Sequence, residues 1–378
     1  MRIKYISFYD VKEYDKEKRV CFPSTINKAN YICDVLNRNG VSVDIISSAW
    51  TKNRTGFYRS RALDLSEFNK LYVSPAFGVV WSKLIVIQKL FTWLWLMLYI
   101  IKNTKQEETI IVYHGINKII PLLFLKKIKK LHYILEVEEI FSSLSTFPVW
   151  KTKLEMKMIR SADKYIFASK YLNKQVNLQN KPYCIINGNY KVEKVISEGF
   201  NDHKVHIVYA GIINSKKGAF TSVELAKFLP NSYHIHILGF GDVDEINKLI
   251  EHIKKNNNHN YACISYDGLI CGKKYTEFLQ KCDIGLCPQI ADEKYNSFSF
   301  PSKISSYLSN GLRVVVSRSS AIEDSPLSSL LFFSDDDTPQ QISKTILGID
   351  LQSNYNSREV ISQLDKQVVK CVKYLIDY

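Results

Sequence analysis

The residues best suited to chemistry lie in the run SFPSKISSYLSNGLRVVVS, Ser299–Ser317. A turn at Phe300-Pro301 leads into a helical stretch that breaks at Gly311 and gives way to a β-branched run. Ser302 stands where an N-cap is expected, its hydroxyl placed to accept a first-turn N–H, and Lys303 follows. A helix start carries unpaired N–H groups and a partial positive charge, which suits phosphate, and the lysine adds a full charge. Upstream, Lys216-Lys217-Gly218 precedes another helical stretch. A lysine there can reach the same phosphate from the opposite side, or simply be solvated in a polar loop.

The same half of the chain sets glycines at three successive strand ends: Gly211, Gly239 with Gly241, and Gly268. Open α/β sheets bind ligands beyond the carboxyl ends of their strands, where glycine admits a close approach or simply ends a strand. The other half sets polar residues at strand ends: His114, Glu136, Glu138 and Glu139. Any of these could take the proton of an acceptor hydroxyl as a general base. For His114 the competing reading is a satisfied turn histidine. For the three acids it is a mixture of one functional and two surface residues.

These positions require strands and helices in alternation. Strands are expected at Ile3–Phe8, Val41–Ser47, Thr109–Tyr113, Leu131–Val137, Tyr165–Ala168 and Tyr183–Ile186. Between the first two lies a helix capped by Ser24 or Thr25 and closed at Asn39-Gly40. After a polar stretch the pattern restarts at Val205 and runs through Arg313–Ser317, with a last helix over Gln363–Leu375. Two such runs imply two doubly wound α/β domains: residues 1–190, a linker over 191–204, residues 205–355, and a C-terminal helical segment over 356–378 that returns to the first domain.

Composition narrows the class. The chain has 378 residues, of which 46% are hydrophobic, which exceeds one ordinary core and excludes disorder. Its eight cysteines are scattered without CxxC spacing, which argues against structural zinc or a disulfide framework and for free thiols in a reducing cytosol. The opening MRIKYISFYD reads as a strand rather than a signal peptide. The net charge of +14 lies in the first half, where residues 1–200 hold 32 Lys and Arg against 17 Asp and Glu. A solvated lysine-rich surface is one reading. Attraction to an anionic membrane face is the other, with Lys126, Lys127, Lys129, Lys130, Lys151, Lys153, Lys157 and Arg160 as its charges. No nucleic-acid module accompanies them, so no nucleic-acid partner is expected. Val79–Ile101 is very apolar, but its unbroken part, Leu90–Ile101, is too short to span a bilayer. It reads as a core helix, with a helix lying in the membrane interface as the alternative.

The second half resembles the donor domain of GT-B glycosyltransferases, in particular glycosyltransferase family 4 enzymes of bacterial surface-polysaccharide synthesis. The resemblance is carried in order by Tyr209–Gly218, His236–Asp242, Ile264–Pro288 and Phe300–Ser317. The first half resembles the acceptor domain more loosely, through Thr25–Ser47, Ser161–Leu172 and Cys184–Tyr190. The resemblance implies two Rossmann-like domains facing a central cleft and transfer of a hexosyl group from a nucleotide sugar, with UDP the expected nucleotide. The expected acceptor is a glycan or lipid-linked glycan at the inner membrane face. It implies no cofactor and no metal, the diphosphate being held by Gly211, Lys217, Gly218, Pro301, Ser302 and Lys303. The nucleoside falls to Gly239, Gly241, Asp267, Gly268, Leu269, Ser305 and Ser306. On the acceptor side, Ser24, Asn27 and Lys28 line the cleft, and His114, Glu138 and Glu139 are the candidate bases. The sequence departs from the family pattern at Ile212, which replaces an arginine, and at Phe298 and Ser306, which replace two glutamates.

Overall fold

In the computed structural model, residues 1–144, 147–214, 218–288 and 300–377 are described. They form two units: residues 1–186 with 366–378, and residues 187–365.

The first unit contains strands β1 (Arg2–Ser7), β2 (Ser42–Ser47), β3 (Phe57–Tyr58), β4 (Arg61–Asp64), β5 (Asn69–Val73), β6 (Ala76–Phe77), β7 (Thr109–Tyr113), β8 (His132–Val137), β9 (Lys164–Phe167) and β10 (Tyr183–Ile185). Among the described residues eight of them build a sheet of order β10-β9-β8-β7-β1-β2-β5-β4, parallel except for edge strand β4, and β3 pairs antiparallel with β6 apart from it. Its helices are α1 (Pro23–Arg38), α2 (Ile85–Asn103), α3 (Ile119–Lys129), α4 (Phe141–Leu144), α5 (Val149–Ser161) and α6 (Lys170–Val176). Strands such as Ile110–Val112 and Ile134–Val137 are buried throughout, as expected where helices cover both faces of a parallel sheet. The strand order reverses between β1 and β7, so a crevice is expected beyond their carboxyl ends.

The second unit repeats the plan with β11 (Val205–Ile212), β12 (Tyr233–Phe240), β13 (Cys263–Gly268), β14 (Ile284–Cys287), β15 (Arg313–Ser317) and β16 (Leu331–Ser334), in the all-parallel order β13-β12-β11-β14-β15-β16. Here the order reverses between β11 and β14. Its helices are α7 (Ala219–Glu224), α8 (Val243–Asn256), α9 (Lys273–Gln280), α10 (Ser302–Ser309), α11 (Ser320–Glu323) and α12 (Pro339–Leu347). One core packs Ile207, Tyr209, Ile235 and Ile237 of the sheet against Val223, Leu249 and Ile346 of the helices. The last helix, α13 (Ser357–Asp377), begins in the second unit, where the Ser357 hydroxyl donates to Leu308 O at 2.8 Å, and from Lys366 onward counts with the first.

Four expectations change. Residues 191–204 are irregular but are tied to the second unit: the Ile196 amide donates to Gln280 Oε1 at 2.8 Å, and Gln280 Nε2 donates to Lys194 O at 2.7 Å. Cys184 and Cys371 are not free thiols but form a disulfide, fastening the end of α13 to β10. The fold brings together residues 187 positions apart, which no spacing rule reveals; in a reducing compartment the same two thiols face each other at a Cα separation of 6.0 Å. The first helix is entered through Phe22, with Pro23 at its first position, rather than capped by Ser24 or Thr25. Proline is preset for that position, and it starts the helix ahead of the hydroxyls. Finally, α2 is not a core helix. Gln88, Thr92, Leu96 and Ile100 face inward, while Val86, Ile87, Leu90, Leu94 and Leu98 are exposed.

Candidate active site

In the second unit, Gly211, Gly239 and the start of α10 meet beside the reversal between β11 and β14, while Gly268 stands two strands away at the end of β13. Tyr307 fixes α10 there. Its ring packs where a Cβ on Gly285 would otherwise stand, and its hydroxyl accepts the Ala210 amide at 2.7 Å. Pro301, not Ser302, is the N-cap, and no side chain caps the helix. Ser302 therefore occupies the first helical position, exposed, and the first-turn N–H groups keep the anion-binding character of an uncapped start.

Lys303 lies across the end of β11, its Nζ 3.9 Å above the Tyr209 ring. A Cβ on Gly211 would come within 3.1 Å of that Nζ, so the glycine makes room for the lysine. Gly239, at φ +148°, lies so close that a Cβ would stand 1.8 Å from Gly211 O. These glycines thus pack backbone against backbone at the carboxyl ends of β11 and β12. Gly218 stands before α7 against Pro288, Gly241 abuts Ile213, and half-buried Gly268 ends β13, with exposed Leu269 after it. Ile212, at the family's arginine position, is 46% exposed. Lys217 lies outside the described residues.

Three candidates for the nucleoside are engaged elsewhere. The Ser305 hydroxyl is fully buried, donates to Ser302 O at 3.0 Å, and fills the space a Cβ on Gly188 would need. Ser306 hydrogen-bonds the Tyr275 hydroxyl. Asp267 turns to His236 Nδ1 at 3.2 Å and accepts from the Ser265 hydroxyl at 2.9 Å. Burial would raise this carboxyl, but those hydrogen bonds hold it below its ordinary range.

The first unit gathers charge near the carboxyl ends of β1, β7 and β8. Glu136 is fully buried and accepts a hydrogen bond from the Tyr5 hydroxyl, while its Oε1 has no hydrogen-bond partner among the described residues. Burial, reinforced by Glu138, pushes its carboxyl up to about 7. Lys28 is buried on α1, donating to Ile186 O at 2.6 Å and pairing with Glu138 Oε1 at 3.1 Å. Ser24 and Asn27 lie on the exposed side of the same turn. Glu138 keeps 27% of its side chain exposed and Glu139 is likewise half-buried, so both are reached by solvent where Glu136 is not.

His114 is placed differently. It is 2% exposed, its Nδ1 lies 3.1 Å from Glu139 O, and its ring rests against Phe141. Burial pushes it down to about 4, so the ring is neutral at pH 7 and closed off from solvent. Sequence reasoning passed over Lys118. Its Nζ donates to Tyr113 O at 2.9 Å under the Phe8 ring, and burial pushes it down to about 7. The available signal was a lone lysine opening an apolar helix immediately after His114-Gly115. Perturbed acids and bases clustered at strand ends are characteristic of functional sites.

No family model matches the sequence, and no curated protein matches it. The structure is nevertheless similar, end to end, to solved ones. Sucrose-phosphate synthase from Thermosynechococcus elongatus superposes with a TM-score of 0.74 at 13% identity, covering 100% of this chain and 99% of the other. A UDP-forming α,α-trehalose-phosphate synthase from Burkholderia vietnamiensis gives 0.66 at 10% identity, over 100% and 99%. Anabaena HepE, in complex with UDP and glucose, gives 0.64 at 11% identity, over 100% and 98%. At such identities the likeness establishes architecture, and with its two doubly wound parallel sheets this chain has the GT-B fold.

Proposed function

We propose that this protein is a glycosyltransferase that moves a hexosyl group from a nucleotide sugar, a UDP-sugar, to a lipid-linked or oligosaccharide acceptor in capsule, O-antigen or exopolysaccharide synthesis. The observation that carries the reading is Lys303, laid across Gly211 at the reversal point of the second sheet beside an uncapped helix start. Cleaving the sugar–phosphate bond develops negative charge on the departing diphosphate. A fixed ammonium group and oriented N–H groups stabilise that charge without reorganising. Lys217 adds a second cation in this scheme, and no step needs a metal or other cofactor. HepE was captured with UDP and glucose, which supports the choice of donor class. On the acceptor side, Glu138 accepts the hydroxyl proton, with Lys28 orienting it at 3.1 Å.

The protein works at the inner face of the cytoplasmic membrane. The outward row Val86, Ile87, Leu90, Leu94 and Leu98 of α2, with Ile120, Phe124 and Ile128 of α3, is an apolar surface whose neighbours Lys127 and Lys130 are exposed. Such a pairing suits shallow insertion into anionic lipid.

The test begins with thermal stabilisation by UDP, GDP, dTDP and CMP, since a ligand of the folded state raises apparent stability. UDP should give the largest rise, and a UDP-hexose panel with lipid-linked acceptors should release UDP. A second reading, a noncatalytic binding subunit of a polysaccharide assembly complex, is favoured by the exposed Ile212 in place of an arginine. Stabilisation by UDP without turnover, with turnover restored by a partner protein, would select it. Absence of both stabilisation and turnover would overturn the proposal.

A further inference from the structure

Away from the strand ends, the second unit holds a cluster that the transfer reaction does not use. His206 on β11 pairs in register with His234 on β12, and His236 lies two residues further along the same face. Ring nitrogens of the three lie within 4.8 Å of one another. Phe200 stacks on His206 at 4.1 Å and on His236 at 5.2 Å, and the Phe278 edge meets His236 at 5.1 Å, so the cluster sits beneath an aromatic cover.

The outer nitrogens are already committed. His206 Nε2 lies 2.8 Å from Asp202 Oδ1, and His236 Nδ1 lies 3.2 Å from Asp267 Oδ2. A carboxylate only accepts, so each of these nitrogens carries its N–H there. What remains on each ring is a lone pair, on His206 Nδ1 and His236 Nε2, and these two face each other at 2.9 Å. Unless the Ser265 hydroxyl, 3.1 Å from His236 Nδ1, donates there instead, two lone pairs so placed need a proton or a metal ion between them. His234, half-buried, brings a third ring while its Nε2 rests 3.1 Å from the Ser265 hydroxyl.

We propose that His206 Nδ1, His236 Nε2 and His234 bind one divalent transition metal, zinc in the first instance. Asp202, 2.8 Å from His206 Nε2, and Asp267, 3.2 Å from His236 Nδ1, hold the tautomer of two of the ligands. Carboxylate–histidine–metal relays are the usual support of imidazole sites, and imidazole donors suit zinc. Zinc–nitrogen bonds of about 2.0–2.1 Å place tetrahedral donors roughly 3.3 Å apart, so the 2.9 Å pair needs to open by a few tenths of an ångström. The scattered cysteines play no part in the site. It lies wholly within residues 187–365 and is independent of the glycosyltransferase reading.

The full chain, stripped with a chelator and dialysed, is titrated with zinc alone and with cobalt(II) alone. One zinc per chain by elemental mass spectrometry and visible d–d absorption of tetrahedral cobalt are expected. At 100-fold excess over Kd, the melting temperature should rise by about 5–10 °C. His234→Ala, the least buried ligand, should abolish stoichiometric binding, whereas His259→Ala, at an exposed position elsewhere, should leave it unchanged. Zinc below about 0.2 equivalents, with no cobalt bands and no thermal shift, would show that a proton alone joins His206 to His236 and would overturn the proposal. Full binding by His234→Ala would overturn it too, as would binding lost instead with Cys271→Ser, which would put the metal on an exposed thiol.

Discussion

Replacing Lys303 by methionine isolates the charge on which the proposed donor site depends. The substitution keeps an unbranched stem that can still lie against the Tyr209 ring, from which Nζ now stands 3.9 Å, and it removes only the ammonium. A hydrogen bond between a cation and a phosphate oxygen contributes about 1.5–3 kcal/mol. Lys303 is half-buried, so solvent screening puts the expected loss near the lower end, a roughly 10-fold increase in Kd for UDP that could not exceed about 150-fold. Uridine has no phosphate, and its affinity should stay within about two-fold of wild type. The difference between the ligands should shrink in ~0.5 M salt, where the screening length falls to a few ångströms. Losing the cation–π contact costs about 0.5–1 kcal/mol of stability, so the variant should melt only a few degrees lower. Isothermal titration with UDP and uridine at two salt concentrations reads all of this. Equal weakening of both ligands, or unchanged UDP affinity, would refute a phosphate contact through Lys303.

Three further outcomes follow from the packing and the charges. Gly239→Ala should cost more than about 3 kcal/mol in urea denaturation, because its Cβ would stand 1.8 Å from a backbone oxygen; Gly40→Ala, at φ +73° with nothing within 4 Å, should cost only the left-handed penalty of about 1–2 kcal/mol. The pH profile of stability should be flattened by two opposing groups. His114, pushed down to about 4, contributes stability that is lost as pH falls from about 6.5, whereas Glu136, pushed up to about 7, contributes stability that is lost as pH rises from about 4.5 through 7. Each is worth up to about 3 kcal/mol, so His114→Asn should unmask a protein that gains stability on acidification from pH 7 to 5, and parallel profiles in urea titrations would contradict the assignment. Leu94→Glu with Leu98→Glu should abolish co-sedimentation with anionic vesicles without lowering the melting temperature, since both side chains are more than half exposed.

The arrangement of the second unit's strand ends was legible because it is local in sequence. A strand, a glycine and the next helix start are neighbours along the chain, and the topology rule for parallel sheets then says where they meet. Lys303 and Gly211 could be paired on that basis alone. Neighbouring details depended on competition that the sequence does not rank. Pro23 took the first position of α1 from Ser24 because a preset φ outweighs a hydroxyl, whereas at α10 Pro301 is the N-cap and leaves Ser302 inside the helix. What needed strand order stayed hidden. The Cys184–Cys371 bond joins residues on β10 and α13, and the histidine cluster exists only because β11 pairs with β12 so that His206 meets His234. The GT-B resemblance fixed neither the buried state of His114 nor the aim of Asp267, since a side chain's direction at a strand end depends on what covers it.

The first half's excess of positive charge has two separate physical meanings, which a total cannot distinguish. Lys28 and Lys118 are buried, and both electrostatically oppose the charge of Glu136, with Lys28 also paired to Glu138, so they cannot attract anything from solution. Lys126 is likewise engaged, by Asp163 at 2.6 Å. Lys127 and Lys130, and on α5 Lys153, Lys157 and Arg160, remain exposed. They accompany an apolar face whose pattern is inverted, with Gln88 and Thr92 inside and leucines outside. Water alone disfavours that arrangement, because each outward leucine forgoes about 1.5–3 kcal/mol of burial. On the membrane reading proposed above, a lipid surface would supply the missing burial and screen the same lysines, so one partner would account for both the inverted helix and the charge beside it.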